Sequence, residues 1–285
     1  MTRVPSVLII WDYDSAIGQI NSSFPYNYRE RALFEEVENV DRLLAITSEA
    51  GLRMTFACVG FAAEPGTFPY HIPEQLCRIH AAGHEIASHS WRHEWFPFLE
   101  REQVRRSLAR SKEALEACLG APGAVRGFVP PFSRPMTWYR KGSISLGDRT
   151  LNPLRAAADL TSLCRALRDA GYAWCRVAYR SIAMRLRMSA DRPLLAHPAE
   201  RCAGIACIPQ HHTGFDETAI RHLERALSER KSVVLVAHPS MLSHGKAEGF
   251  ERFEAMMKRL AQLRAEGRII ARTVSEHLAD GAAVA

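Results

Sequence analysis

One stretch decides the fold, and it runs Ala81-Ala82-Gly83-His84-Glu85-Ile86-Ala87-Ser88-His89-Ser90-Trp91-Arg92-His93. Its short strand-like run at 85–87 predicts a strand, and His89 and His93 follow that strand four residues apart. In β/α architectures, active sites are built at the carboxyl ends of strands. Two imidazoles beside a carboxylate form a ligand set for a divalent metal. The histidine pair therefore predicts a metal site.

The spacing alone is a weak signal, because the chain contains twelve histidines and such pairs also arise by chance. His80 and His84 have the same spacing. Gly83 lies between them as a helix C-cap, so His80 is expected to end a helix and His84 to open the next strand. We interpret this first pair as structural.

An acidic doublet supports the second pair as ligands. Asp12 and Asp14 follow the first apolar run, residues 4–11, which predicts a buried strand. One carboxylate can complete the metal set, and the spare one is suited to activate a water molecule.

Composition indicates one large domain over residues 1–285. The chain is 47% hydrophobic, long enough for a single core, and has no run of 18 apolar residues. The first apolar run is too short for a signal peptide, and seven cysteines without a CxxC indicate a reducing compartment, so we expect a cytoplasmic protein. We interpret four cysteines as small core residues: Cys58, Cys77, Cys118 and Cys164.

The net charge of +6 is modest, and no basic groove with interleaved aromatic residues indicates nucleic-acid binding. Arginines are dense in one stretch, at Arg176, Arg180, Arg185, Arg187 and Arg192. They form either a solvated face or a site for substrate phosphates. The sequence does not indicate an oligomeric state.

Apolar runs alternate with amphipathic ones, which predicts about seven β/α units around a parallel sheet. Helices are predicted over 29–50, 73–82, 100–119, 154–170, 216–229, 250–266 and from 274, and strands over 4–11, 52–59, 85–87, 124–129, 172–177, 205–208, 232–237 and 268–271. Polar groups repeatedly follow strands, where a barrel gathers them on one rim: Asp12 and Asp14, His89 and His93, Pro130-Pro131-Phe132, His211 and His212, and His238.

These motifs resemble the polysaccharide deacetylases of the NodB-homology class, carbohydrate esterase family 4. The stretch 81–93 is similar to that family's second motif, and Trp11-Asp12-Tyr13-Asp14 to a first motif with one residue between the aspartates. Residues 127–132 (GFVPPF) are similar to the third motif, and residues 233–239 (VVLVAHP) to the fifth.

The resemblance implies a distorted (β/α)7 barrel that hydrolyses the N-acetyl amide of a sugar. It implies a divalent metal, zinc by default with cobalt or nickel as alternatives, held by Asp14, His89 and His93. Asp12 would be the catalytic base and His238 the general acid. In the third motif, Pro131 and the backbone N–H of Phe132 would form the oxyanion site.

Two departures from the family pattern stand out. Valine occupies position 129, where the third motif normally has an arginine that orients the catalytic aspartate; Arg126 or Arg134 could take its place. The fourth motif's aspartate is not evident, because Cys175 and Arg176 stand there, so the partner of His238 is unidentified.

Several residues are candidates for contacting substrate. Trp91, Trp95 and Trp138 are suited to stack on a sugar, although packing is the commoner role. Arg126, His211 and His212 are further candidates, and a capping or loop role is equally open for the two histidines.

The sequence thus predicts a cytoplasmic N-deacetylase of an acetamido sugar, linked to a nucleotide, lipid or glycan, in bacterial surface-polysaccharide biosynthesis. One alternative is a hydrolase of a non-sugar, ureide-type amide. Another is a degenerate barrel that binds glycan without catalysis.

Overall fold

Ten β-strands form one curled sheet in the computed structural model, which describes residues 4–22, 29–96, 99–133, 160–177, 193–195 and 197–282. The strands are β1 (Ser6–Tyr13), β2 (Thr55–Cys58), β3 (Glu85–Ser88), β4 (Gly127–Phe128), β5 (Trp174–Arg176), β6 (Arg201–Cys202), β7 (Ile205–Ile208), β8 (His212–Thr213), β9 (Val233–Ala237) and β10 (Ile270–Ala271). The helices in these ranges are α1 (Ser15–Ser22), α2 (Glu30–Ala50), α3 (Pro73–Ala81), α4 (Arg101–Leu119), α5 (Leu160–Asp169), α6 (Glu217–Glu229), α7 (Phe250–Ala265) and α8 (Val274–Ala282).

Seven strands lie side by side in the order β7-β5-β4-β3-β2-β1-β9, and each neighbouring pair is parallel. The short β6 is antiparallel to β7, β8 is parallel to β9 and β10 is parallel to β1. Parallel neighbours require crossover connections, for which helices are the usual element. The predicted (β/α)7 architecture is confirmed.

Alternation along the strands separates two apolar layers. In β1, Leu8 and Ile10 face the barrel interior, whereas Val7, Ile9 and Trp11 belong to the layer beneath the helices. All eight residues of β1 are buried, as expected for a strand covered on both faces. Successive inward positions of β1 therefore lead from apolar side chains up to Asp12.

Most predicted helices are observed within one or two residues of their expected ends. The α2 helix ends at Gly51 in the left-handed conformation, which Gly adopts without steric cost. The α1 helix was not predicted, because its sequence follows the acidic doublet without an apolar stripe. Within the described residues, no helix combines the length and apolar composition needed to cross a bilayer.

The interpretation of the cysteines as core residues was wrong for Cys77. Cys58 and Cys164 are buried and Cys118 is half-buried, but Cys77 is exposed. The reason is the orientation of α3, which buries Gln75, Leu76 and Ile79 and turns Cys77 to solvent.

A tryptophan fills the interior at the level of β4 and β5. Trp174 is fully buried, and its indole N–H donates to Glu85 Oε1 and Ser275 Oγ, both at 3.1 Å. Gly127 lies opposite Trp174 in the β4–β5 register, and a Cβ at this position would overlap the indole ring. The glycine therefore provides the space that the tryptophan occupies.

We expect Gly127→Ala to destabilise the protein by about 1–3 kcal/mol, because overpacking a rigid core forces side chains off their preferred rotamers. Urea denaturation of Gly127→Ala, Trp174→Phe and the double variant would measure this. The alanine should cost less in the phenylalanine background. Strictly additive costs would contradict a direct overlap.

Candidate active site

The predicted site residues meet at the carboxyl ends of the central strands. Asp12 lies near the end of β1, and Asp14 follows that strand. His89 follows β3, and His238 follows β9. Trp11 pairs with Ala237 between β1 and β9, so the next residues, Asp12 and His238, are cross-strand neighbours. The parallel sheet thus gathers them on one rim.

Asp14, His89 and His93 form a buried cluster. Asp14 Oδ1 lies 3.3 Å from His89 Nε2 and 3.2 Å from His93 Nε2. One ligand atom from each residue lies within 4.8 Å of the other two, and no other group of this kind occurs in the described ranges. The three residues predicted to be metal ligands therefore lie together.

The other ring nitrogens of the two histidines fix their tautomers. His89 Nδ1 lies 2.7 Å from the carbonyl oxygen of Val129, which can only accept, so Nδ1 carries the proton. His93 Nδ1 lies 3.2 Å from Ser22 Oγ, and this hydroxyl already donates to the Gly18 carbonyl oxygen at 2.8 Å. Both rings therefore turn Nε2, the nitrogen that has no partner of this kind, towards Asp14.

A cation fits this cluster. Burial raises the pKa of Asp14, but the imidazoles of His93 and His89 hold it well below its ordinary value, so the carboxyl is ionised. Its buried Oδ1 has no hydrogen-bond donor among the described residues. In their neutral form the two rings would present Nε2 lone pairs to the same space as this carboxylate, so that three ligand atoms converge. A divalent metal with oxygen and nitrogen ligands satisfies such a set.

The backbone around the cluster is tightly constrained. Ser15, Ser90 and His93 have φ angles of 55°, 69° and 61°, in the left-handed region that non-glycine residues rarely adopt. Such conformations concentrate at functional sites. The α1 helix passes close by, since a Cβ on Gly18 would lie 2.9 Å from the Asp14 Cβ. Gly18 therefore allows α1 to bring Ser22 to His93.

Arg176 forms a buried ion pair with Asp12. Its NH1 and NH2 atoms donate to Oδ1 and Oδ2 of Asp12 at 2.5 and 2.7 Å, and both side chains are at most 2% exposed. Burial raises the pKa of Asp12, but the Arg176 guanidinium, helped by neighbouring histidines, lowers it overall. Arg176 therefore belongs neither to a solvated face nor to a phosphate site, and residues 178–192 lie outside the described ranges.

Glu248 is the partner of His238. One oxygen, Oε2, accepts from the His238 backbone N–H at 2.6 Å and lies 2.9 Å from Nδ1. The opposite nitrogen, Nε2, lies 3.8 Å from Asp12 Oδ2. Burial lowers the pKa of His238, but the Glu248 hydrogen bond and the Asp12 charge raise it to about 9. His238 is therefore protonated at neutral pH.

Pro131 and Phe132 lie beside the metal-ligand cluster. Pro131 is buried, and Phe132 has a φ of 65°. The Phe132 ring centroid lies 4.6 Å from that of His93 and 5.9 Å from that of Trp95. The third motif therefore reaches the rim, next to the cluster.

The tryptophans contribute mainly to packing. Trp91 and Trp95 are only 5% and 6% exposed, and the Arg110 guanidinium covers the Trp91 ring at 3.9 Å. Stacking of a sugar on Trp91 is therefore not favoured. Trp138 lies outside the described residues.

The two histidines named as candidate substrate contacts, His211 and His212, both have partners within the protein. His211 is fully buried, accepts from the Val234 N–H at 2.8 Å and donates to the Pro193 carbonyl oxygen at 3.0 Å, which argues against a substrate contact. His212 Nε2 lies 2.8 Å from Asp216 Oδ1. His84, interpreted as structural, is buried and its Nδ1 accepts from the Met54 N–H; burial lowers its pKa to about 4.

Of the two arginines proposed to replace the one absent at position 129, Arg126 does not lie on the rim with Asp12. Arg126 is exposed, and it precedes β4, so it lies at the opposite end of that strand from the rim. Arg134 lies outside the described residues.

The sequence interpretation missed Arg176, Glu248, Ser22 and Gly18. The sequence did carry a signal for Arg176. Side chains alternate between the two faces of a strand, so Arg176 shares the inward face of β5 with Trp174, and it is a charged residue at the end of an otherwise apolar strand. Glu248 carried no local signal. It lies ten residues beyond His238, and only the folded connection to α7 brings it back.

Comparison with known proteins gives a family match that covers two of the motifs, the second and the third. The family model for polysaccharide deacetylase matches residues 23–150. The matched segment contains His89, His93 and the third motif, whereas Asp12, Asp14 and His238 lie outside it.

Solved structures share the fold over almost the whole chain. A candidate polysaccharide deacetylase from Mycobacterium smegmatis aligns with a TM-score of 0.65 and 19% identity, covering 99% of this chain and 92% of that one. The T48 deacetylase with substrate gives 0.50 and 15%, covering 97% and 92%. A wild-type family 4 carbohydrate esterase pseudoenzyme from Bacillus anthracis gives 0.50 and 14%, covering 98% and 66%. At these identities the likeness concerns the fold. The family match and the shared fold confirm the resemblance of this chain to the polysaccharide deacetylase family.

Proposed function

We propose that the protein is a metal-dependent hydrolase that removes the N-acetyl group from an acetamido sugar. One observation carries the proposal: the cluster of Asp14, His89 and His93 lies on the same rim of the barrel as Asp12 and His238, whose Oδ2 and Nε2 atoms are 3.8 Å apart. Amide hydrolysis needs an activated water, stabilisation of an oxyanion and a proton for the departing amine. The rim offers a group for each requirement.

Asp14, His89 and His93 would hold the metal, with zinc the best match to two imidazoles and one carboxylate. When bound, the ion supplies Lewis acidity, which polarises a carbonyl and lowers the pKa of water. The hydrogen bonds from the two Nδ1 atoms keep Nε2 of each ring available as a ligand.

Asp12 serves as the base. It is ionised because its pKa is lowered despite burial. Each carboxylate oxygen has two lone pairs, so the Arg176 hydrogen bonds leave acceptor capacity for the proton of an attacking water.

His238 serves as the general acid. Glu248 holds its Nδ1, which leaves Nε2–H to donate to the amine nitrogen as the C–N bond breaks. An amine leaves poorly unless protonated, so a histidine charged at neutral pH suits this step. The Phe132 ring lies against that of His93, and we propose the Phe132 backbone N–H as the oxyanion donor.

Acetate release tests the function directly. We expect the zinc-loaded protein to release acetate from an N-acetylglucosamine oligomer or a nucleotide-linked N-acetylglucosamine, and to leave allantoin intact. Asp12→Asn should lower kcat by about 100-fold or more, since general base catalysis contributes about 10²–10⁴. The exposed Asp169 supplies the control Asp169→Asn, which should match wild type.

Each outcome of this assay is informative. Turnover of allantoin alone would favour the ureide-type hydrolase. Binding of the sugar without acetate release, at full metal occupancy, would favour a non-catalytic barrel, a state represented among the proteins that share this fold.

Metal binding has its own prediction. Elemental analysis should find about one equivalent of a divalent transition metal in the wild-type protein. It should find little in His89→Ala, because the loss of one of three protein ligands weakens metal binding. His80→Ala is the matched control, since His80 belongs to the pair with the same spacing and lies at the end of α3. Equal occupancy of both variants would contradict the ligand assignment.

The pH profile tests the acid. The reaction needs protonated His238, so the rate should fall as pH rises through its pKa of about 9. Glu248→Gln keeps a hydrogen-bond acceptor but removes the charge that raises this pKa, so the alkaline limb should move to lower pH. Glu251→Gln, an exposed neighbour, should leave the limb in place. An unshifted limb in Glu248→Gln would contradict the assignment of His238 as the acid.

A further inference from the structure

We propose that Arg176 is the positioning residue for Asp12, performing from β5 the role that the resemblance assigns to an arginine at position 129, directly after β4. The inference rests on the proposed function, because it requires Asp12 to be the base. It identifies a residue that neither the family match nor the motif pattern indicates.

Positions 129 and 176 are neighbours in the sheet. Phe128 of β4 pairs with Cys175 of β5, so the next residues, Val129 and Arg176, lie side by side. Both face the interior by alternation, since Val129 and Trp174 belong to the interior apolar layer, whereas Phe128 and Cys175 belong to the outer one. The side chain of an arginine at either position would therefore start from the same level along the barrel.

The contact is of the kind that orients a carboxylate. Two guanidinium nitrogens donate to two different oxygens of Asp12, at 2.5 and 2.7 Å. A bidentate pair fixes the plane of the carboxylate as well as its position. Both side chains are essentially fully buried, so water does not compete for the contact.

Lysine would be a poor substitute. Its ammonium is a point charge on a flexible stem, whereas the guanidinium is a planar fork that matches both carboxylate oxygens. Lysine at position 176 would preserve charge balance and much of the stability but lose the fixed orientation. This difference separates positioning from simple neutralisation of Asp12.

The test compares four variants for kcat, KM and metal content. Arg176→Lys should lower kcat by about 100-fold with little change in KM, because small misplacements of reacting groups cost this much, and metal content should stay at the wild-type level. Arg126→Met, which changes the exposed arginine before β4, should behave like wild type. Arg176→Val should be at least as slow as Arg176→Lys.

The fourth variant moves the arginine from position 176 to position 129. Val129→Arg combined with Arg176→Val should recover at least about tenfold in kcat over Arg176→Val alone, since it restores a guanidinium at the neighbouring register position. Wild-type kcat in Arg176→Lys, or loss of kcat in Arg126→Met, would overturn the proposal. So would a folded, metal-loaded double variant no faster than Arg176→Val.

A thermal-stability cycle separates this proposal from the function itself. Asp12→Asn, Arg176→Met and their combination are compared by midpoint temperature, which needs no activity. Strong non-additivity is expected, since removing one partner leaves the other buried without compensation. Additive shifts would overturn the pairing on which the proposal stands. A wild-type protein without acetate release but with non-additive shifts would refute the proposed function and the positioning role while retaining the ion pair.

Discussion

The apolar interior of the barrel constrains everything built at its rim. Below Asp12 the inward side chains include Leu8, Ile10, Val234 and Val236, all fully buried. Charged groups above such a layer are costly unless each is neutralised by a hydrogen-bonded partner. The rim is therefore organised in charge pairs, and the identity of each partner follows from the position of the group that it neutralises.

Two charged groups at the rim are neutralised by a single side chain of opposite charge, whereas Asp14 lies between two histidines. Arg176 balances Asp12, and Glu248 balances His238. Asp14 instead faces the Nε2 atoms of His89 and His93, which a bound cation would share with it as ligands. The same electrostatic requirement that explains the two pairs thus indicates where a cation belongs. It also explains how Asp12 and His238 can hold opposite charges with His238 Nε2 only 3.8 Å from Asp12 Oδ2.

The meeting of Asp14, His89 and His93 was predictable because its signal is local. His89 and His93 lie in one short segment, Asp14 follows one apolar run, and parallel strands bring their ends together wherever the sheet closes. The partners were not predictable in this way. Arg176 reaches Asp12 from β5, four strands away from β1 in the sheet, and Glu248 acts through a folded connection. His211 gave the same post-strand signal as His89, yet its ring bonds to backbone between strands, because a position after a strand does not determine which way a side chain turns.

Alternation and register also explain how a site can keep its geometry while a motif changes. In a parallel barrel, residues at one height on neighbouring strands point into the same space, so a long side chain can act from either strand. Arginine is long enough to span part of that space and carries its fork at the end, whereas the short carboxylate of Asp12 must stay on its own strand. Asp14, His89 and His93 have shorter side chains than arginine and therefore remain tied to their motifs. If Arg176 has the proposed role, an arginine that orients Asp12 can belong to either β4 or β5. Its height in the barrel then identifies such an arginine better than its position along the chain does.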